Sequence, residues 1–194
     1  MNFLPITVAG ENVYAGFWPR LGASLVDTIL VLPLAYLVFK FQGTGLATAI
    51  IATTLLGFSA AIYSVFFNVR YGGTLGKLAV GIRITTPQGT RIGLREALLR
   101  SSPDIIYGFL IAVFYAYAVT EVDFPAYSMA GYVGKAQLLS SHYPGISKYT
   151  GTASNIWYWS EVIVILFNRR RRALHDFLAG TVVIHKNFLH NQAL

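Results

Sequence analysis

The chain has 194 residues, 55% hydrophobic and 12% charged, with a formal net charge of +7 and no cysteine. Soluble domains carry about 25% charged residues, and the deficit here falls in four nearly uncharged stretches, which argues against a water-soluble fold. The lack of cysteine excludes disulfides, thiolate nucleophiles and Cys-ligated metal sites, and basic residues that flank the apolar stretches instead of sharing one solvated face argue against a nucleic-acid partner.

Residues 1–12 have no basic start and contain Glu11, so they do not read as a signal peptide, and the first span is its own insertion signal. That span covers residues 21–39, with Asp27 its one charged residue. A two-glycine turn leads to the second, an uncharged 22 residues at 46–67. Both can cross a hydrocarbon core of about 30 Å at about 1.5 Å per residue.

The segment 70–103 is basic. Residues 72–81 are glycine-rich; residues 82–85 alternate as a strand, Pro87-Gln88-Gly89 turns, and residues 90–92 are placed to return as a second strand. The β-branched residues 181–184 supply a third. Residues 94–99 read as a short amphipathic helix in the membrane interface. Ser102 and Pro103 then suit the cap and first position of a third span at 105–120.

Residues 121–149 form an outer loop rich in Tyr and Gly, either functional or disordered. The fourth span covers 150–168. Its apolar part is short and contains Glu161, so a re-entrant segment is the alternative. Lys and Arg divide twelve against three between the two sides, which places both termini in the cytoplasm of a cell inner membrane. The expected fold is all-α and transmembrane: a four-helix bundle in one domain, with a small cytoplasmic β-element and an interfacial amphipathic helix.

Intramembrane acids are the first candidates for function, because a carboxylate inside a span costs several kcal/mol unless paired or neutralised. Asp27 lies two helical turns after Arg20, and either staples helices as an ion pair or binds a cation or proton. Glu161 lies eight residues before Arg169, at a depth close to that of Asp27. The two acids either face each other or Glu161 faces water near the outer surface. Asp176 follows the run Arg169, Arg170, Arg171 and Arg172, where a charge-assisted bond is expected. That run anchors the inner face and attracts anionic lipid. Gly76-Lys77 lacks the upstream glycine and the Ser or Thr of a phosphate loop, and the four histidines show no metal-ligand spacing. No metal, cofactor or enzymatic activity is expected.

Three blocks carry a resemblance to a known family. They are Ala15-Gly16-Phe17-Trp18-Pro19-Arg20-Leu21 leading to Asp27, the stretch from Thr74-Leu75-Gly76-Lys77 to Arg83, and the stretch from Arg172-Ala173-Leu174-His175-Asp176 to Val183. In this order they resemble the RDD family of small integral membrane proteins. The resemblance implies that the arginine and two aspartates of the family name are Arg20, Asp27 and Asp176. It also implies either sodium–proton exchange or a partner role in membrane complexes. Two expectations follow. One is a cation- or proton-coupled transporter that uses Asp27 and Glu161 and needs a homo-oligomer to enclose a path. The other is a non-catalytic subunit or assembly factor bound to another membrane protein.

Overall fold

The computed structural model describes residues 3–189, without the side chains of residues 146 and 147. It opens on a hairpin, β1 (Thr7–Val8) and β2 (Glu11–Asn12). The two turn residues, Ala9 and Gly10, both have positive φ, the type I′ geometry that matches strand twist. Helices α1 (Phe17–Phe41) and α2 (Leu46–Tyr71) follow, then the short α3 (Leu75–Ala79) and strand β3 (Ile82–Thr85). Next come α4 (Leu94–Glu121), α5 (Phe124–Met129), α6 (Tyr132–His142) and α7 (Pro144–Phe167). The chain closes with α8 (Leu174–Leu178), β4 (Val182–His185) and a single 3-10 turn, Lys186–Phe188.

Helices α1, α2 and α4 are each long and apolar enough to cross a membrane. Their apolar windows are only 11%, 6% and 22% buried inside the protein, so most of that surface needs a solvent other than water. Leu25, Ile29, Leu55, Ile62 and Ile106 are among the large apolar side chains left open. Helix α7 is nearly as long, but its first half is polar.

Three expectations about local structure need correction. The interfacial helix at 94–99 and the span at 105–120 are one helix, α4, which runs through Pro103. Proline cannot donate to the carbonyl four residues back. The hydroxyl of Ser102 donates to that same Leu99 carbonyl oxygen at 2.8 Å, so the acceptor stays satisfied and the helix continues. The strand at 90–92 does not form. The Thr86 amide donates to the Thr90 carbonyl oxygen at 2.9 Å and the two hydroxyls lie 2.7 Å apart, which closes the turn too tightly for a ladder. β3 pairs instead with β4, antiparallel, in the register Ile82↔His185 to Thr85↔Val182. Finally, residues 121–149, expected as an outer loop, form helices. Asp123 caps α5 at the Ala126 amide and Gly131 occupies the N-cap of α6. Gly134 and Gly151 sit within helices, at a cost of about 1 kcal/mol each, and Gly145 lies in the first turn of α7.

The chain divides into two compact units. The first comprises, within the described residues, 3–30, 62–103 and 158–189. Its β3–β4 ribbon separates two apolar clusters. Ile82, Ile84 and Val183 pack with Ala15, Ala23, Ile92 and Ala97 on one face, and Val182 and Ile184 pack with Leu4, Val13 and Tyr14 on the other. The second unit, 31–61 and 104–157, centres on Ala49, Tyr115, Val119, Val122 and Tyr127. There α2 and α4 meet at Gly57 and Gly108, where a Cβ on Gly108 would come 3.0 Å from the Gly57 carbonyl oxygen.

Candidate functional site

The charged residues of the first unit gather around two carboxylates. Asp176, in the first turn of α8, is fully buried. Its Oδ2 accepts from Arg20 Nη1 at 2.7 Å and from the backbone amide of Ala173 at 2.9 Å, which also caps α8. Its Oδ1 accepts from Arg100 Nη1. Arg20 donates further, to the carbonyl oxygens of Ala15 (3.2 Å) and Arg171 (2.8 Å). Arg171 has a φ of 48°, so the chain leaves α7 through a left-handed residue that turns its carbonyl toward Arg20. Burial alone would raise the Asp176 carboxyl. Arg100 and Arg20 outweigh it and hold the group well below the usual carboxylate range.

Arg100 extends this network. It donates to Thr181 Oγ1 at 3.0 Å and lies 2.8 Å from His175 Nε2. A guanidinium only donates, so Nε2 must accept and the imidazole proton is assigned to Nδ1. Nδ1 lies 2.7 Å from Glu161 Oε2, and Glu161 Oε1 accepts from the His175 amide at 3.1 Å. Burial and then Arg100 lower the His175 pKa; Asp176 and Glu161 oppose that shift. A neutral imidazole thus lies between a buried acid and a buried guanidinium.

The second carboxylate is Asp27, half-buried in α1. Oδ1 accepts from the Tyr63 hydroxyl at 2.8 Å and from the Gly76 amide at 2.7 Å, and Oδ2 accepts from the Thr74 hydroxyl at 2.6 Å. All three partners donate. Gly76 is required by close approach: a Cβ there would overlap the Ala23 carbonyl oxygen and come 2.8 Å from the Asp27 carboxylate. Thr74 also caps α3, and Lys77 Nζ reaches its hydroxyl at 3.4 Å. Burial lowers the Lys77 pKa to about 8; Arg100 adds to the shift and Asp27 opposes it.

The sequence model of the RDD family matches residues 14–180, most of the chain. The chain belongs to the RDD family. With its three long apolar helices, this makes it a membrane protein. This RDD chain is also 33% identical over 93 residues to a Bacillus subtilis (strain 168) protein, the uncharacterized YckC. The match covers 46% of this chain and 59% of that protein, so it spans little more than half of the relative. No solved structure matches.

Within the RDD chain, Arg20 and Asp176 are brought together, while Asp27 binds neither of them. Glu161 is buried, but its bonds go to His175 and not to Asp27. Of the arginine run, Arg172 bonds the carbonyl oxygens of Asp176 (2.9 Å) and Thr181 (3.0 Å), Arg171 supplies the carbonyl that Arg20 uses, and Arg170 stacks 3.7 Å over the Phe3 ring. Arg169 is exposed. Sequence reasoning missed Arg100, His175, Tyr63 and Thr74 as site residues. Thr74 and His175 lie inside the RDD-like blocks and were within reach. Arg100 and Tyr63 carry no local signal.

Proposed function

We propose that this RDD protein is a multi-pass protein of the inner membrane, with four crossing helices and both ends cytoplasmic. Its role is that of a non-enzymatic accessory subunit or assembly factor in a larger membrane complex. One observation carries the choice of role. Asp27 and Asp176, two of the acids nominated for ion binding, have both oxygens engaged by donors of the same chain, so they are built to hold helices and loops in register. A bound cation needs free carboxylate lone pairs, and three donors already take most of the roughly four that Asp27 offers. The twelve-to-three division of Lys and Arg supports the orientation. The arginine run and open apolar helix faces favour anionic lipid and a second membrane protein, or another copy of this chain, as neighbours.

Cation- or proton-coupled transport is the second reading, favoured by the contact of Glu161 with the His175 imidazole, a pair able to exchange a proton. Two measurements separate the readings. Purification in mild detergent from native membranes yields a stoichiometric second membrane protein under the first. Proteoliposomes of the isolated chain then show sodium-driven proton flux no greater than protein-free vesicles. Flux that disappears in Glu161→Gln, from a chain that purifies alone, establishes the second.

A further inference from the structure

Several arginines of the first unit stand outside the network, and two of them share a cleft. Arg83, on β3, and Arg91, in the loop before α4, line a cleft of about 390 Å3 together with Tyr71, Thr85, Thr90 and Leu189. Strand register explains the placement. Arg83 lies opposite Ile184 and Thr85 opposite Val182, so both project from the sheet face away from Ile82 and Ile84. The Arg83 guanidinium is half-buried and donates to the Ile82 carbonyl oxygen at 3.1 Å. Among the described residues, no carboxylate pairs with Arg83 or Arg91. Burial lowers the Arg83 pKa, and no acid opposes that shift. The Thr85 hydroxyl is enclosed and has no hydrogen-bond partner among the described residues. A desolvated cation without a counter-charge costs free energy that a bound anion returns.

The cleft also has an address. Tyr71 is the last residue of α2, and the Arg70 guanidinium sits 5.6 Å over its ring. An aromatic and a basic residue at the end of an apolar helix mark the membrane–water interface. We propose that the cleft binds the phosphate of an acidic phospholipid, with Arg83 and Arg91 as the guanidinium donors and the Tyr71 and Leu189 side chains against the apolar part of the lipid. This rests on α2 crossing the membrane. Phosphate is the chemistry that two guanidinium groups recognise. The apolar walls beside the helix end favour a lipid over a soluble phosphate.

The test uses the full chain, purified and delipidated in detergent, with Tm as the readout. Short-chain phosphatidylglycerol raises Tm; short-chain phosphatidylcholine and millimolar inorganic phosphate do not. Arg91→Gln, on an exposed loop, leaves the lipid-free Tm unchanged and shifts half-saturation by phosphatidylglycerol about tenfold upward. Arg83→Gln shifts half-saturation in the same direction from its own lipid-free Tm, and if it folds poorly Arg91→Gln alone decides. Arg169→Gln, outside the cleft, changes nothing. An unchanged phosphatidylglycerol response in Arg91→Gln overturns the site. Equal protection by inorganic phosphate overturns the lipid assignment, and equal protection by phosphatidylcholine overturns the anion. Failure of the membrane reading shows separately, as a chain that stays monodisperse once detergent is removed.

Discussion

The two units hold together by different chemistry. The first, around the β3–β4 ribbon, is organised by ions: the buried Asp176 between Arg20 and Arg100, and the half-buried Asp27 among hydroxyl and amide donors. The second is organised by shape and aromatic contact. Gly57 and Gly108 let two helices touch, and Tyr115 and Tyr127 share a hydrogen bond of 2.6 Å. Its buried cation, Lys135, has no acid partner among the described residues and lies over the rings of Phe39 (4.5 Å) and Tyr127 (5.0 Å). Apolar contacts tolerate substitution of similar volume, whereas a buried ion pair fails once one partner is removed. Arg20, Asp27 and Asp176 all lie in the unit where a single change is costly.

That contrast predicts a ranking of mutational effects, measurable by thermal or denaturant unfolding in detergent or nanodiscs. Arg100→Gln leaves Asp176 short of a buried counter-charge and costs about 3–5 kcal/mol. Gly76→Ala drives a methyl group into the Ala23 carbonyl and the Asp27 carboxylate, costing about 1–3 kcal/mol. In the second unit Tyr127→Phe removes one hydrogen bond and costs about 1 kcal/mol. A reversed order, with the tyrosine dominant, would remove the distinction between the units.

The smallest effect is one of pH. His175 titrates near 6.5 when unfolded and below that when folded. The unfolded chain therefore binds the proton first. The His175 contribution is complete above about pH 6.5 and is lost as pH falls through the folded pKa. In His175→Gln, stability loses this component of its decline below pH 6.5. The first unit carries this dependence; a slope unchanged by the substitution would show that the imidazole does not stay neutral between Glu161 and Arg100.

Much of this was legible in the sequence, for reasons that can be named. Apolar run length placed α1 and α2, and a β-branched run placed β4, because these signals are local. The three blocks marked Arg20, Asp27 and Asp176 in chain order. What stayed hidden depended on distance or on local rescue. Arg100 reads as one more flanking charge until the fold brings it to Asp176, 76 residues away. Pro103 reads as a helix start until the Ser102 hydroxyl is seen to satisfy the Leu99 carbonyl. The depth argument for Glu161 located a buried acid, but depth does not fix azimuth, and the partner is His175.

Asp176 and its arginines form a structural lock in this RDD protein. A double-mutant cycle on Arg100 and Asp176, read as unfolding free energy in nanodiscs, tests it most directly. Arg100→Gln with Asp176→Asn should be less destabilised than the sum of the single changes by about 2–3 kcal/mol. Single effects that add to within about 0.5 kcal/mol would contradict it.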